Sequence, residues 1–282
     1  MAPLDLGTSL GGLDLLALAC IVFIGLPHGA MDGALALHFG WMRKRTKAAI
    51  FLLSYVGLAA AVVLAWIIAP VLTFTLFLAI SLLHFGRGDV ADENASTWLL
   101  EGFARGGLVI AGISQFHRVE ADLVFQSLVG PDTVLVWLFL DFASVVVAAS
   151  IVIVGVRKSG DDRGSYVIET IGLATLFAVT PPLFGFAVYF CLIHSARHFR
   201  SMQRVFGEAL AAFDVAKPTI ILTLVTWGCG IVTLAVRSSE IPLNEAVLQV
   251  VFIGLAALTV PHMILVDGVA PHMSRSERLL TT

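Results

Sequence analysis

Runs of about twenty apolar residues recur along this chain and leave it few folds. A helix of that length crosses the hydrocarbon of a bilayer and bonds its own backbone groups, which lipid cannot do for it. The stretches 48–68, 132–156, 218–236 and 244–268 are of this kind. Of 282 residues, 58% are hydrophobic and 13% charged, about half the charge of an average soluble domain. The expected fold is therefore all-α: one polytopic membrane helix bundle covering residues 1–282.

Between these stretches the pattern predicts further, shorter spans, about nine in all. They run over 13–40, interrupted by Pro27, then 48–68 and 70–86 on either side of Pro70, 97–114, 132–156, 165–180, 182–200, 218–236 and 244–268. Residues 119–130 (VEADLVFQSLVG) read as an amphipathic helix in the interface. Lys and Arg concentrate at 43–47, 157–163, 200–217 and 275–278, which strict alternation puts on one side. By the positive-inside rule that side is cytoplasmic, so the N-terminus lies outside and the C-terminus inside, in the cell inner (plasma) membrane. The N-terminus has no basic region ahead of its apolar run, unlike a cleaved signal peptide. The net charge of -3 offers no basic patch for nucleic acid.

Against this background four histidines stand out. His28, His84, His194 and His198 all lie inside apolar runs, where an imidazole is costly and marks a functional site by default. The topology brings His28, His84, His194, His198 and also His262 to spans running the same way, at similar depth in the inner half of the membrane. Several neutral imidazoles at one depth suit a transition metal. His194 and His198 are four apart in CLIHSARHF, on one face of a helix. The alternative for His28 is a hydrogen-bonded histidine in a glycine seam, for His84 an interfacial histidine, and for His194 and His198 a pair hydrogen-bonded to neighbouring helices or near the interface.

The local motifs add candidates around these histidines. In PHGAMDG, Asp32 follows His28 by one turn and either binds the metal or orients a liganding imidazole. Gly25, Gly29 and Gly33 form GxxxG steps that admit a close helix. In SLLHFGRGD, Gly86 and Gly88 permit close packing, and Asp89 has Arg87 as a possible surface partner. In TVPHMILVD, His262 with Asp267 is expected to support the metal or line a substrate pocket. His38, His117 and His272 read as ordinary histidines near interfaces, and Cys20, Cys191 and Cys229 as packed thiols. Glu101 and Arg105, four apart, neutralise each other; Asp141 and Glu169 either orient a histidine or bond a neighbouring helix.

Taken in order, PHGAMDG, SLLHFGRGD, CLIHSARHF and TVPHMILVD resemble the bacterial and archaeal β-carotene 15,15′-dioxygenases, the Brp/Blh family, over nearly the whole chain. The resemblance implies a membrane enzyme that splits β-carotene at its central double bond with O2, giving two all-trans-retinal. It also implies a non-haem Fe(II) centre on His28, His84, His194 and His198; the residues by themselves indicate only a polyhistidine metal site. Asp32, Asp89, His262 and Asp267 are then expected around the ligands. β-Carotene dissolves in the bilayer and can enter sideways.

Two other classes remain. A membrane desaturase or hydroxylase would need about eight histidines in several boxes, whereas one HxxxH occurs here. A metal or proton transporter would use His and Asp as relay sites. A retinal-binding pump is excluded, because Lys44, Lys47, Lys158 and Lys217 all flank spans.

Overall fold

A computed structural model describes residues 10–90, 98–206 and 212–270. Among the described residues every regular element is helical and none is a strand. The α-helices are α1 (Gly12–Cys20), α2 (Leu26–Gly29), α3 (Asp32–His38), α4 (Arg45–Ile68), α5 (Pro70–Asp89), α6 (Trp98–Gly107) and α7 (Ile113–Phe116). They continue as α8 (Arg118–Val129), α9 (Val134–Arg157), α10 (Gly160–Val179), α11 (Pro182–Val188), α12 (Ser195–Phe206), α13 (Ala212–Arg237) and α14 (Leu243–Met263). Wider π-helical turns occupy Ile21–Gly25, Leu108–Gly112, Tyr189–His194 and Ile264–Val269.

Among the described residues five helices are long and apolar enough to cross a membrane: Arg45–Ile68, Pro70–Asp89, Val134–Arg157, Val215–Arg237 and Leu243–Val269. Their outward faces are apolar, with Leu53, Ile67 and Ile68 all more than 70% exposed on α4. In water such faces would be unstable; against lipid tails they cost nothing.

Three of the remaining expected spans are built from short pieces. The stretch 13–40 breaks into α1, a π turn, α2 and α3, with the gap at Ala30–Met31 rather than at Pro27. Pro27 is the second residue of α2, where its missing N–H falls next to a ladder already opened by the π turn. The stretches 97–114 and 182–200 carry the π turns 108–112 and 189–194; residue 97 itself lies outside the described residues. The stretch 165–180 lies within α10, which is uninterrupted but begins with the charged Asp161, Asp162 and Arg163.

Prolines set several boundaries. Pro70 starts α5 after Ala69, whose backbone (φ -142, ψ 68) is not helical, and Pro182 starts α11. Pro261 lies inside α14 and removes a ladder bond three residues before the π turn at Ile264–Val269. The expected interfacial stretch forms α8, whose Phe125 packs on Phe74 and Trp137. Burial pushes the Asp122 carboxyl up. Hydrogen bonds donated by Trp137, Thr133 and Gln126 outweigh it, so its pKa stays below the usual value.

The chain divides into two compact units, Met1–Ile21 with Ala69–Arg197, and Val22–Ile68 with His198–Thr282. In the first, α5, α6 and α9 pack together around small residues. A Cβ on Gly106 would lie 1.9 Å from the Leu82 carbonyl oxygen, and one on Gly86 2.1 Å from that of Gly102. Backbones therefore touch directly between α5 and α6, the close approach expected at Gly86. In the second unit, α3 packs on α13 and α4 on α14. A core cluster there gathers Met31, Ala34, Leu35, Met202, Leu265 and Ala270. Of the three GxxxG glycines, Gly33 meets α13, where an added Cβ would lie 2.7 Å from Leu222. A Cβ on Gly29 would meet nothing within 4 Å.

Candidate metal centre

In the first unit α5 and the π turn 189–194 bring His84 and His194 together. Both are buried, and their ring centroids are 5.1 Å apart at 68°. His194 is walled by aromatic rings: Phe85 edge-on at 4.8 Å, Phe190 stacked at 6.0 Å, and Tyr189 at 6.2 Å. On the Gly88 side an added Cβ would come within 3.4 Å of the His194 ring, so the α5 backbone passes close to the imidazole there. The π turn matters here. Its extra residue widens the helix and re-aims the side chain at its end, a feature found frequently at functional sites.

The second unit holds another pair. His198 on α12 and His262 on α14 are both buried, with ring centroids 5.1 Å apart at 66°. His262 Nδ1 is bonded to Asp32 Oδ1 at 2.8 Å, and Tyr55 Oη donates to Asp32 Oδ2 at 2.9 Å. Asp32 is only 2% exposed, so these two partners replace the water that its carboxylate gives up. Tyr55 also reaches the Leu258 carbonyl at 3.4 Å, tying α4 to α14. His28 lies on α2, which packs on α13 and α14; its description extends to the backbone alone. Asp267 is half-buried in the π turn 264–269.

Six charged residues of the first unit form a continuous chain of bonds. Lys158 Nζ lies 2.9 Å from Glu101 Oε2, and Arg105 joins Glu101 at 2.9 Å to Glu169 at 2.6 Å. Arg197 then links Glu169 to Asp89 Oδ1, the latter at 2.8 Å. Tyr189 Oη donates to Asp89 Oδ2 at 2.8 Å. Three cations and three carboxylates cancel, which is what burial in lipid demands. Glu101 and Arg105 pair as expected. Asp89 corrects the surface reading: its side chain is 1% exposed and is held by Arg197. Glu169 bonds neighbouring helices and not a histidine, as does Asp141, which pairs with Arg118 and Gln115.

The other histidines and the cysteines are ordinary. His117 Nε2 is bonded to the Phe177 carbonyl at 2.8 Å, His38 packs on Phe39, and His272 lies outside the described residues. Cys191 is buried, but Cys229 is exposed on the apolar surface of α13 rather than packed.

Sequence reasoning passed over Tyr55, Tyr189 and Arg197. A signal was present. The chain has three tyrosines, and a tyrosine inside an apolar run needs a partner for its hydroxyl. Two of the three bond the aspartates of the histidine motifs.

Among the described residues no group of three His, Cys, Asp or Glu side chains converges on one point; what the described side chains form is two pairs. Each pair nevertheless suits a metal. Two imidazoles bound to one ion at about 2.1 Å and roughly at right angles have centroids about 5 Å apart, the spacing of both pairs. Neutral nitrogen donors suit Fe(II) as well as zinc or copper.

The comparisons with known proteins agree with the motifs. Residues 19–269 match the family described as β-carotene 15,15′-dioxygenase. A β-carotene 15,15′-dioxygenase of the uncultured marine bacterium 66A03 is 37% identical over 268 residues, covering 93% of this chain and 96% of that protein. A probable β-carotene 15,15′-dioxygenase Blh of Halobacterium salinarum is 30% identical, covering 88% of this chain and 81% of that protein. No solved structure matches the chain. With nearly its whole length matched and the histidine motifs in place, this chain belongs to the β-carotene 15,15′-dioxygenase family of enzymes.

Proposed function

We propose that this enzyme cleaves β-carotene at the central 15,15′ double bond with O2, yielding two all-trans-retinal, at an Fe(II) centre held by His28, His84, His194 and His198. The observation that carries the proposal is the pairing of buried histidines in a chain of this family. The two oxygen atoms of one O2 balance the two new aldehydes. Bound Fe(II) supplies a route for triplet O2 to react with a closed-shell alkene, which is otherwise slow.

The chain's own residues do the rest. Phe85 and Phe190 keep the surroundings of His194 apolar and exclude water beside it. Tyr189, Asp89 and Arg197 fix the π turn that carries His194 to α5. Four neutral imidazoles would hold the ion without offsetting its charge. The substrate enters sideways from the bilayer, and the catalytic domain is the whole of 1–282. Nine spans, with the N-terminus outside and the C-terminus cytoplasmic in the plasma membrane, follow from the Lys and Arg distribution. The family assignment disfavours the desaturase and transporter readings.

Expression in carotene-producing cells tests the activity. Loss of orange colour with retinal appearing is expected, and His84→Ala should abolish both while the protein still accumulates in the membrane. Unchanged carotene in cells that hold the wild-type protein would overturn the reading.

A further inference from the structure

We propose that the outward face of α9 is the seam of a dimer, in which a second copy of this chain packs α9 against α9 around the Arg118–Asp141 ion pair. The face belongs to the first unit alone, and it stands apart from the iron centre. A charge occupies an unexpected place there. Arg118 Nη1 lies 2.6 Å from Asp141 Oδ1, yet the two side chains are 48% and 50% exposed. Around Asp141 the exposed neighbours on α9 are Leu138, Phe142 and Val145.

Depth makes this exposure costly. α9 runs for 24 residues, about 36 Å, and the hydrocarbon it crosses is about 30 Å thick. Asp141 comes seven residues after Val134, about 10 Å into the helix. At most about 6 Å of α9 can stand clear of the hydrocarbon at this end while Arg157 reaches the other surface. Asp141 therefore lies inside the apolar layer, and tilting the helix takes it deeper. A lipid headgroup sits too far out to cover it. Charged groups at such depth almost always face protein or water. Glu101, Arg105 and Asp89 in the same unit obey this rule, with side chains 4%, 11% and 1% exposed. The lipid-exposed helix α4 shows the contrast, for it carries no charged residue from Ala48 to Ile68.

The spacing on α9 supplies a seam for a partner. Leu138, Asp141, Val145, Ala148 and Val152 recur at intervals of three and four residues, and all are exposed. This is the pattern on which two helices pack, and one polar residue within it fixes register and partner number. Ala148 and Ala149 keep the middle of the seam thin, and polar groups hold membrane helices together across such contacts. Copies in one bilayer share an orientation, so a two-fold axis along the membrane normal brings the same patch of both copies together at one depth. Each copy carries a cation beside an anion. The axis then sets Arg118 of one copy against Asp141 of the other, an alternating ring of four charges. Arg118 is held in place for this. Its guanidinium lies 4.1 Å over the Trp137 ring, and Trp137 Nε1 donates to Asp122 at 2.6 Å. Among the described residues Arg118 gives three hydrogen bonds, to Gln115 and Asp141, which leaves two of its five N–H groups for the second copy.

Disulfide trapping of the full chain in its membrane tests the seam. The background is Cys229→Ser, which removes the exposed native thiol. Into it go Val145→Cys or Val152→Cys on the seam, with Ile168→Cys on α10, 74% exposed, as the control. Under mild oxidation both seam variants should give a disulfide-linked species of twice the chain mass, at least about 5-fold more than the control, because only facing positions come within disulfide reach. Adding Asp141→Arg to Val145→Cys gathers four like charges and should lower the linked fraction to that of the control. Adding Arg118→Asp as well restores the alternation and should restore linking. Asp141→Asn, a milder change, should lower linking in the same direction. Unchanged linking in Asp141→Arg and Asp141→Asn would remove the ion pair from the interface and overturn the proposal. So would seam variants that link no more than Ile168→Cys. A lipid-soluble maleimide then tells what covers the face instead: labelling of Val145→Cys means lipid, and protection means the rest of the same chain.

Discussion

Arg197 shows how much one residue decides inside this bundle. It joins Asp89, with a side chain 1% exposed, to Glu169 and is itself the last cation in a chain that starts at Lys158. Removing one member of a buried ion network leaves the others charged and unpaired, which costs about 3–5 kcal/mol. Arg197→Ala should therefore lower the Tm in detergent by about 6–20 °C. Arg197→Lys, which keeps the charge but loses the two-pronged donor, should fall between Ala and wild type. An unchanged Tm in Arg197→Ala would mean that water reaches Asp89. The histidine motifs announced His84 and His194, but nothing in their spacing named Arg197 or Tyr189 as the partners of Asp89. Those contacts join residues about a hundred positions apart, and no local pattern encodes them.

At the scale of the helices, glycines and π turns do what side chains cannot. Gly86, Gly102 and Gly106 let α5 and α6 touch backbone to backbone, which is how α5 holds His84 close to its neighbours. A Cβ at Gly106 would stand 1.9 Å from the Leu82 oxygen and 2.5 Å from the Gly86 nitrogen, so Gly106→Ala must push the helices apart. We expect a loss of about 1–3 kcal/mol and weaker Co(II) binding as His84 moves. In contrast, Gly172 on α10 has nothing within 4 Å of an added Cβ. Gly172→Ala should be neutral or stabilise by up to about 1 kcal/mol. Equal melting curves for the two variants would show that α5 and α6 are not so tightly packed. The sequence marked Gly86 as a close contact. It did not show that Gly102 and Gly106 complete the seam, because that depends on which helix lies opposite.

For the whole molecule, the prediction concerns orientation. Lys and Arg gather at 43–47, 157–163 and 200–217, and the positive-inside rule holds best over short loops such as these. A reporter fused after Thr282 is expected to be active in the cytoplasm alone. Periplasmic activity would invert the arrangement and leave both histidine pairs as they are.

Length and composition of the apolar runs determined by themselves that the chain is helical and suited to lipid, because hydrocarbon admits no other backbone at that length. Motif order likewise determined the family, since the four histidine segments are local strings. Tertiary structure alone decided three matters. Spans near the histidines are broken by π turns, whose extra residue no periodicity announces. Asp32 and Asp89 turn to Tyr55, His262, Tyr189 and Arg197 rather than to sequence neighbours. Finally, His198 pairs with His262, 64 residues away, in addition to its place in the HxxxH. In each case the physical reason is the same. A buried polar group in lipid must take whichever partner packing brings within about 3 Å, and packing is a property of the folded chain.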